Sequence, residues 1–432
     1  MQVVNLASYR TVCDALSAGP GVVVIKGKFV LKLVSLYTGI GGLDFGFESA
    51  GFETALAVES DATTCATINL NRSWPIIDRS IHEVSSEELM EAAGVKSGET
   101  DVLIGGPPCQ PFSKSSYWIS GDSLRLDDPR AGALGEYLRV LRDLRPKAFL
   151  LENVYGLAYK GKDEGLKFLL AGVEKINQEK GTNYGVSWQV LNAAQYGVPQ
   201  NRERVFLVGS REGIHFKFPA PTHYAPEAGS SSAEPASEPY CTAWDAIGDL
   251  PPYPDESSLK VGGKWGDLLP SIPEGQNYLW HTNRGGGFPL FGWRTRYWSF
   301  MLKLSKVLPS WTIQAHPGSA VGPFHWNNRK LSVQELSRIQ TFPDGLRFDC
   351  GRAVAQKMLG NAVPSLLAEV LARAIRVQLL QDPTDLGALY LLPSKKTPIP
   401  PPEKVKPLPS KYKHMIGDHP DHPGERKGAR NC

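Results

Sequence analysis

The chain has 432 residues, 41% of them hydrophobic, and a formal net charge of +3 from 47 Lys and Arg against 44 Asp and Glu. That exceeds one ordinary domain and supports a substantial core with a second, smaller unit, while a charge so near balance identifies no partner by itself. Six cysteines, Cys13, Cys65, Cys109, Cys241, Cys350 and Cys432, form no C-x-x-C pair, which argues against zinc ribbons and a disulfide framework and for reduced thiols in a cytoplasmic protein.

Residues 1–30 read as an N-terminal extension whose short apolar run, Val22 to Ile25, is broken by Lys26. Nowhere do eighteen apolar residues follow one another, so neither secretion nor a membrane span is expected. From Leu31, strand-like and helix-like runs take turns: Leu31 to Leu36, Leu43 to Ala50, Thr54 to Val58, Ala62 to Leu70 and Val102 to Ile104. The alternation continues through Leu134 to Leu144, Ala148 to Leu151, Leu166 to Ile176, Trp188 to Leu191 and Val205 to Val208. It predicts an α/β fold, a mostly parallel sheet covered by helices on both faces.

After Phe218, prolines at 219, 221, 226, 235 and 239 and serines at 230–232 read as a flexible joint. The next hundred residues, rich in Gly, Pro and Trp, predict short strands and loops. Helical pattern returns at Ser332 to Ile339, where Ser332 and Glu335 fit a capping box, and at Leu366 to Leu380. From Asp382 onward the Pro/Lys-rich chain reads as disordered, and its His414, His419 and His422 as solvated rather than metal-binding. The expected division is therefore 31–218 with 352–385 as the α/β domain, 219–351 as a smaller, mainly β/loop domain with hinge segments, and 386–432 as a tail.

Five features fall at predicted strand ends, where open α/β sheets place their chemistry. Ser35-Leu36-Tyr37-Thr38-Gly39-Ile40-Gly41-Gly42 closes the first strand, and its glycines permit a tight turn and close approach of a ligand, although such a turn alone fits a plain loop equally well. Glu59, eighteen residues beyond Gly41, ends the second strand where a carboxylate accepts ribose hydroxyls; alone it also reads as a surface acid. Gly105-Gly106-Pro107-Pro108-Cys109-Gln110-Pro111-Phe112-Ser113 presents one thiol in a proline-stiffened loop, a form shared by nucleophiles and by inert cysteines. Glu152-Asn153-Val154 brings a carboxyl group that either donates a proton to a ring nitrogen or caps a helix. Gln200-Asn201-Arg202-Glu203-Arg204 places Arg202 and Arg204 on one side of an extended segment, aimed at a thiol or a carbonyl oxygen.

From Gly275 to Lys330 there is no Asp or Glu, but there are seven cations (Arg284, Arg294, Arg296, Lys303, Lys306, Arg329, Lys330) and five of the ten tryptophans (Trp280, Trp293, Trp298, Trp311, Trp326). Such a window suits phosphates and bases, or a tryptophan-rich core with a basic rim.

Together these motifs resemble the DNA cytosine-5 methyltransferase family, in its bacterial stand-alone form. The match runs in order from the glycine turn through Pro108-Cys109, Glu152-Asn153-Val154 and Gln200-x-Arg202-x-Arg204. It ends with Arg329-Lys330-Leu331-Ser332, Glu335, Arg338, Gln340, Phe342 and Pro343, then Gly360-Asn361-Ala362-Val363-Pro364, and covers about two thirds of the chain. The resemblance implies a Rossmann-like catalytic domain and a target recognition domain at 219–351.

It further implies that the Cys109 thiolate adds to carbon 6 of a flipped-out cytosine, that Glu152 serves ring nitrogen 3, and that carbon 5 takes a methyl group from S-adenosylmethionine. Arg204 would contact the base carbonyl and Arg202 would organise the thiol loop. Tyr37, Gly39, Gly41, Gly42, Glu59, Ser60 and Asn361 would hold the cofactor, with Asp78 at its adenine. Gln110, Ser113, Arg284, Arg294, Arg296 and Thr312 would face DNA, and the loop 113–132 would close over the base. The last helix, carrying Gly360 to Val363, would fold back beside the first strand. Ser35 and Tyr37 stand where many members have Asp and Phe.

The implied partner is double-stranded DNA, with a cognate restriction or defence system, and the protein is expected to be a nucleoid-associated monomer. An RNA cytosine-5 methyltransferase and a catalytically silent DNA-binding regulator are the alternatives; the intact Cys109, Glu152 and Arg204 speak against the latter.

Overall fold

A computed structural model describes residues 30–108, 132–159, 163–225 and 238–419. The first part of the chain runs β1 (Leu31–Leu36), α1 (Gly42–Ser49), β2 (Phe52–Val58), α2 (Ala62–Asn71), β3 (Ile76–Ile77), α3 (Ser86–Ala92) and β4 (Val102–Gly105). It continues with α4 (Gly132–Leu144), β5 (Ala148–Val154), α5 (Glu164–Lys180), β6 (Gly185–Asn192), β7 (Gln200–Asn201) and β8 (Glu203–Ser210). Seven of these strands form one sheet in the order β3-β2-β1-β4-β5-β8-β6. β1 to β5 are parallel to their neighbours, and β8 alone runs antiparallel to both β5 and β6.

Both faces of the sheet are buried, and the period-two pleat decides which side chain goes where. Val34, Leu36, Leu103, Phe149, Leu151, Val205 and Leu207 join the α4 and α5 side chains in one core layer. Leu31, Leu33, Val102, Ile104, Leu150, Phe206 and Val208 join those of α1 and the last helix in the other. In α4, Leu134, Tyr137, Leu138, Leu141 and Leu144 recur at helical spacing and are buried against the sheet.

The chain after the second unit returns as α8 (Arg352–Asn361) and α9 (Ser365–Gln378), after α6 (Ala243–Ile247) and α7 (Val333–Ile339). The expected single last helix carrying Gly360 to Val363 is thus two, because Pro364 lacks an amide donor and disfavours helix at the residue before it. As one run, Arg352–Gln378 has the length and apolarity of a membrane span, but most of it is buried inside the fold. α9 does fold back onto the layer containing Leu31 and Leu33. It crosses α1 at Gly46, where a Cβ would stand 2.4 Å from both the Ala368 Cβ and the Ser365 carbonyl oxygen.

Residues 238–350 are built mostly from loops, turns and 3-10 segments, the loop part of the β/loop expectation, with strand confined to Glu238–Pro239, to Ser310–Trp311, which pairs with β7, and to three isolated bridges. One apolar cluster, with Tyr278, Phe291, Phe300 and Met301, is its own. A second is shared with the α/β part, joining Ile40, Phe45, Met358 and Leu359 to Ala246, Ile313, Trp326, Ile339 and Phe342. The capping box at Ser332 and Glu335 is present at α7.

The expectation of a disordered tail from Asp382 fails for 382–419, which runs as a strap over both parts. Glu369, fully buried on α9, accepts from the Tyr390 and Leu391 amides at 2.8 and 3.0 Å. Farther along, Lys306 Nζ meets Glu403 at 3.0 Å and Glu274 at 2.7 Å. Leu408 and Tyr412 then enter the second unit's core. Composition gave no warning because the strap is held by backbone hydrogen bonds and two anchors rather than by a periodic apolar face.

Tyr412 is 2% exposed, stacks on Trp265 at 5.8 Å and donates to the Lys264 carbonyl at 2.7 Å. We expect Tyr412→Ala to cost about 3 kcal/mol by loss of a buried aromatic. Denaturant unfolding followed by tryptophan fluorescence checks this, and an unchanged midpoint would refute the strap's contribution.

Candidate active site

The sheet's topology gathers the predicted residues at one edge. Parallel β1, β2, β4 and β5 all end there, and the reversed β8 begins there. Register makes Leu36, Val58 and Gly105 neighbours and sets Val154 against Arg204. The glycine turn, Glu59, the start of the Pro-Cys loop, Glu152 and Arg204 are therefore brought together by strand direction. Cys109, Gln110, Ser113 and the segment 113–131 lie outside the described residues; Pro108 is the last described residue before them.

Glu152 is 8% exposed, and its Oε1 meets Arg204 Nε at 3.0 Å. Burial pushes its carboxyl above the ordinary carboxylate range, against the opposing pull of Arg204 and then Arg202. A Cβ added at Gly106 would lie 3.1 Å from Glu152 Oε2, so that glycine lets the loop backbone pass close to the carboxyl group. Asn153 Nδ2 donates to the Pro107 carbonyl at 3.3 Å, fixing the same loop from β5. Glu152 and Asn153 lie within the strand, so the helix-capping alternative is set aside.

Gln200, Arg202 and Arg204 alternate along an extended segment, as expected, and Arg202 is held by backbone carbonyls. It is 1% exposed, and its Nη2 donates to the Gly360 and Ala362 carbonyls, both at 2.8 Å, with Nη1 at 3.4 Å from the Ile313 carbonyl. It therefore staples the α8–α9 junction. Gln200 acts beside it: its Oε1 accepts from the Ile313 amide and its Nε2 donates to Gln340 Oε1, both at 3.0 Å. Gln340 Nε2 in turn donates to the Leu359 carbonyl. Both glutamines belong to sequence motifs without an assigned role; for Gln200 the alternate spacing with Arg202 is the available signal, and Gln340 has none.

Around the glycine turn, Tyr37, Gly39 and Gly41 have φ of 54°, 55° and 82°. Gly41 and Gly42 are needed for space as well: a Cβ would meet the Trp74 ring at 2.8 Å and the Val363 carbonyl at 2.4 Å respectively. Nothing lies within 4 Å of a Cβ placed on Gly39, leaving an open cradle. Glu59 borders it, accepting from Gly39 N at 2.8 Å, Ser60 N at 2.8 Å and Asp61 N at 2.9 Å. A left-handed glycine over open space, beside an acid with lone pairs remaining, fits a nucleoside-bearing cofactor. Tyr37 donates through its hydroxyl to the Ala133 carbonyl at 2.8 Å, so it reaches α4. Asp78 is exposed just past β3, at the same edge, and Asn361 ends α8 next to the Ala362-Val363 backbone that covers Gly42.

The basic window divides. Lys303, Lys306 and Arg329 are buried and satisfied inside, and Trp326 is core, because ion pairs such as Arg329 with Glu335 at 2.7 Å draw on acids outside the window. Arg284, Arg294 and Arg296 are exposed. Arg284 and Arg294 lie over the Trp293 ring at 3.6 and 4.4 Å. Trp298 and Trp311 pack edge to face at 5.7 Å while remaining 53% and 42% exposed. Thr312 donates to the Asn201 carbonyl at 2.7 Å, tying this surface to the segment that carries Arg202 and Arg204.

A family model described as C-5 cytosine-specific DNA methylase matches residues 31–377. The chain is similar to the Type II methyltransferase M.SacI of Streptomyces achromogenes, 40% identical over 372 residues, covering 81% of this chain and 93% of that protein. It is also similar to the Type II methyltransferase M.FnuDI of Fusobacterium nucleatum, 34% identical over 370 residues, covering 80% and 94%. In fold it resembles the solved S. pombe Dnmt2 methyltransferase, with a TM-score of 0.53 at 17% identity over 82% of this chain and all of that one.

Arg202→Lys retains a charge but loses the planar fork that spans two carbonyls. We expect it to lower stability by about 3 kcal/mol, the scale of a buried charged hydrogen-bond partner removed, as read by the denaturation midpoint; a change under about 0.5 kcal/mol would refute the staple.

Proposed function

The chain belongs to the C-5 cytosine-specific DNA methylases and is a DNA cytosine-5 methyltransferase, and from that premise we propose which of its residues carry the reaction. Cys109 is the nucleophile. Its thiolate adds to carbon 6 of a cytosine turned out of the duplex, since carbon 6 is inaccessible within the stack. Glu152 holds or protonates ring nitrogen 3, and the electrons of the opened 5,6 double bond collect on carbon 5. S-adenosylmethionine, held at the glycine turn by Tyr37, Gly39, Gly41, Gly42, Glu59, Ser60 and Asn361, supplies the electrophilic methyl group. Carbon 5 takes that methyl, then gives its proton to a base; the 5,6 double bond reforms, the thiolate leaves, and nitrogen 3 returns its proton. Asp78 is proposed for the adenine.

The observation that carries this reading is the Glu152–Arg204 pair at 3.0 Å, buried beside the backbone that leads into Cys109. A partly desolvated carboxyl group with an upward-shifted pKa is suited to a ring nitrogen, and Arg204 is suited to the neighbouring carbonyl oxygen. The surface with Arg284, Arg294, Arg296 and Thr312 is proposed to face duplex DNA, as are Gln110 and Ser113, with 219–351 as the target recognition domain. The exposed Trp298 and Trp311 add stacking faces to it. The protein is proposed to act as the modification member of a restriction or defence system.

Duplex DNA carrying 5-fluorocytosine should trap wild-type protein as a covalent adduct in the presence of S-adenosylmethionine, because fluorine cannot leave as a proton does; Cys109→Ala should give none. Mass spectrometry that finds no adduct, or an adduct on another residue, would sink the assignment. The second expectation concerns pH. Arg204 lowers the pKa of Glu152, so Arg204→Ala should raise it and move the alkaline limb of the kcat profile to higher pH while reducing kcat about 10²-fold or more. An unmoved or downward-shifted limb would remove Glu152 as the proton-bearing group.

A further inference from the structure

Beneath the glycine turn lies a carboxyl group that the reaction above leaves unused. Asp44, in the first turn of α1, is fully buried, among residues that are themselves buried, Leu43, Phe45, Gly46 and Phe47. Ser35 Oγ donates to its Oδ2 at 3.1 Å, and Thr54 Oγ1 lies 3.5 Å from its Oδ1. Thr38 Oγ1 donates onward to Ser35 Oγ at 3.0 Å, and the Thr38 amide donates to the Val58 carbonyl at 3.2 Å. The chain of groups from Asp44 through Ser35 thus ends on the residue before Gly39, whose own amide is held by Glu59 at 2.8 Å. The turn is gripped from its rim by one acid and from beneath by another.

Burial pushes the Asp44 carboxyl up to about 7. An acid kept in so apolar a place opposes folding, and the neighbouring hydroxyls offset only part of that. Packing alone would favour an aliphatic side chain here. Ser35 at the end of β1 and Asp44 on α1 form one hydroxyl–carboxyl pair between strand and helix, so the carboxylate acts on the strand's end from the helix side.

We propose that Asp44 is a positioning residue for the methyl donor, supplying from α1 a buried carboxyl group that grips the glycine turn from beneath. Through Ser35 and Thr38 it holds residues 35–39 in the left-handed turn that opens the Gly39 cradle. The proposal rests on reading that turn as the donor site.

The test is a reciprocal exchange. Wild type, Asp44→Ser, Asp44→Asn and the double variant Ser35→Asp/Asp44→Ser are compared for binding of S-adenosylmethionine and S-adenosylhomocysteine by calorimetry without DNA, with thermal unfolding measured in parallel. Asp44→Ser should weaken donor binding by about tenfold, an effect of about 1.4 kcal/mol, and raise KM for the donor more than it lowers kcat. The double variant should return to within about threefold of wild type. A role confined to structure would track unfolding temperature and leave the KM to kcat split flat. If Asp44→Ser does not fold, the double variant is judged against Asp44→Asn, which keeps the shape and removes the charge. Donor affinity equal to wild type in the single variants, or a double variant no better than they are, overturns the proposal. Wild-type protein that binds neither compound overturns the donor-site reading itself, and this inference with it.

Discussion

A single guanidinium, that of Arg202, fixes the relation of three distant stretches of chain. It binds carbonyl groups at 313, 360 and 362 from position 202, between β7 and β8. Its Nε has no partner among the described residues, so the staple is bought at the cost of incomplete satisfaction and of a charge opposed first by its own burial and then by Arg204, with the Glu152 carboxylate in its favour. Such an arrangement persists where geometry matters more than stability. What it secures is the loop 362–364 over Gly42 on one side and the strand Ser310–Trp311 beside β7 on the other.

Strand direction does the remainder. In a sheet with every strand parallel, the segment before β8 would emerge at the opposite edge, remote from Glu152. Because β8 is antiparallel, its beginning meets the end of β5, and Val154 faces Arg204 across the ladder. The one reversed strand is therefore what converts a carboxyl group and a guanidinium 52 positions apart into a 3.0 Å ion pair.

Much of this was legible because the determinants are local or periodic. The strands and helices of the α/β part are visible in apolar spacing, and the capping box in Ser332 and Glu335. The one-sided placement of Arg202 and Arg204 follows from the period of an extended segment. Destinations were less legible. Nothing near Arg202 in sequence says that its partners are carbonyl oxygens 111 to 160 positions away. The window from Gly275 to Lys330 looked uniformly cationic because its countercharges, Glu274, Glu335 and Glu403, lie outside it, and long-range pairing buried three of its seven cations. The strap beyond Asp382 was hidden for the same reason: its anchors, Glu369 and the core around Trp265, belong to other parts of the chain.

The roof over the glycine turn shows how these long-range ties act together. α8 is pinned from one end by Arg202 and from its side by Lys357, which meets Asp61 at 3.4 Å, and by the Thr67 hydroxyl, 3.8 Å from the Met358 sulfur. Asp61 caps α2 one residue beyond Ser60, whose neighbour Glu59 is the acid that holds Gly39. The same short helix therefore touches the segment that leads to Arg204 and the segment that shapes the Gly39 cradle. A shift of α8 cannot disturb one without the other, since both contacts are made by a rigid element only ten residues long. Under the assignments proposed above, the acceptor base and the methyl donor are held in register by one short helix, whose last residue, Asn361, is itself proposed for the donor.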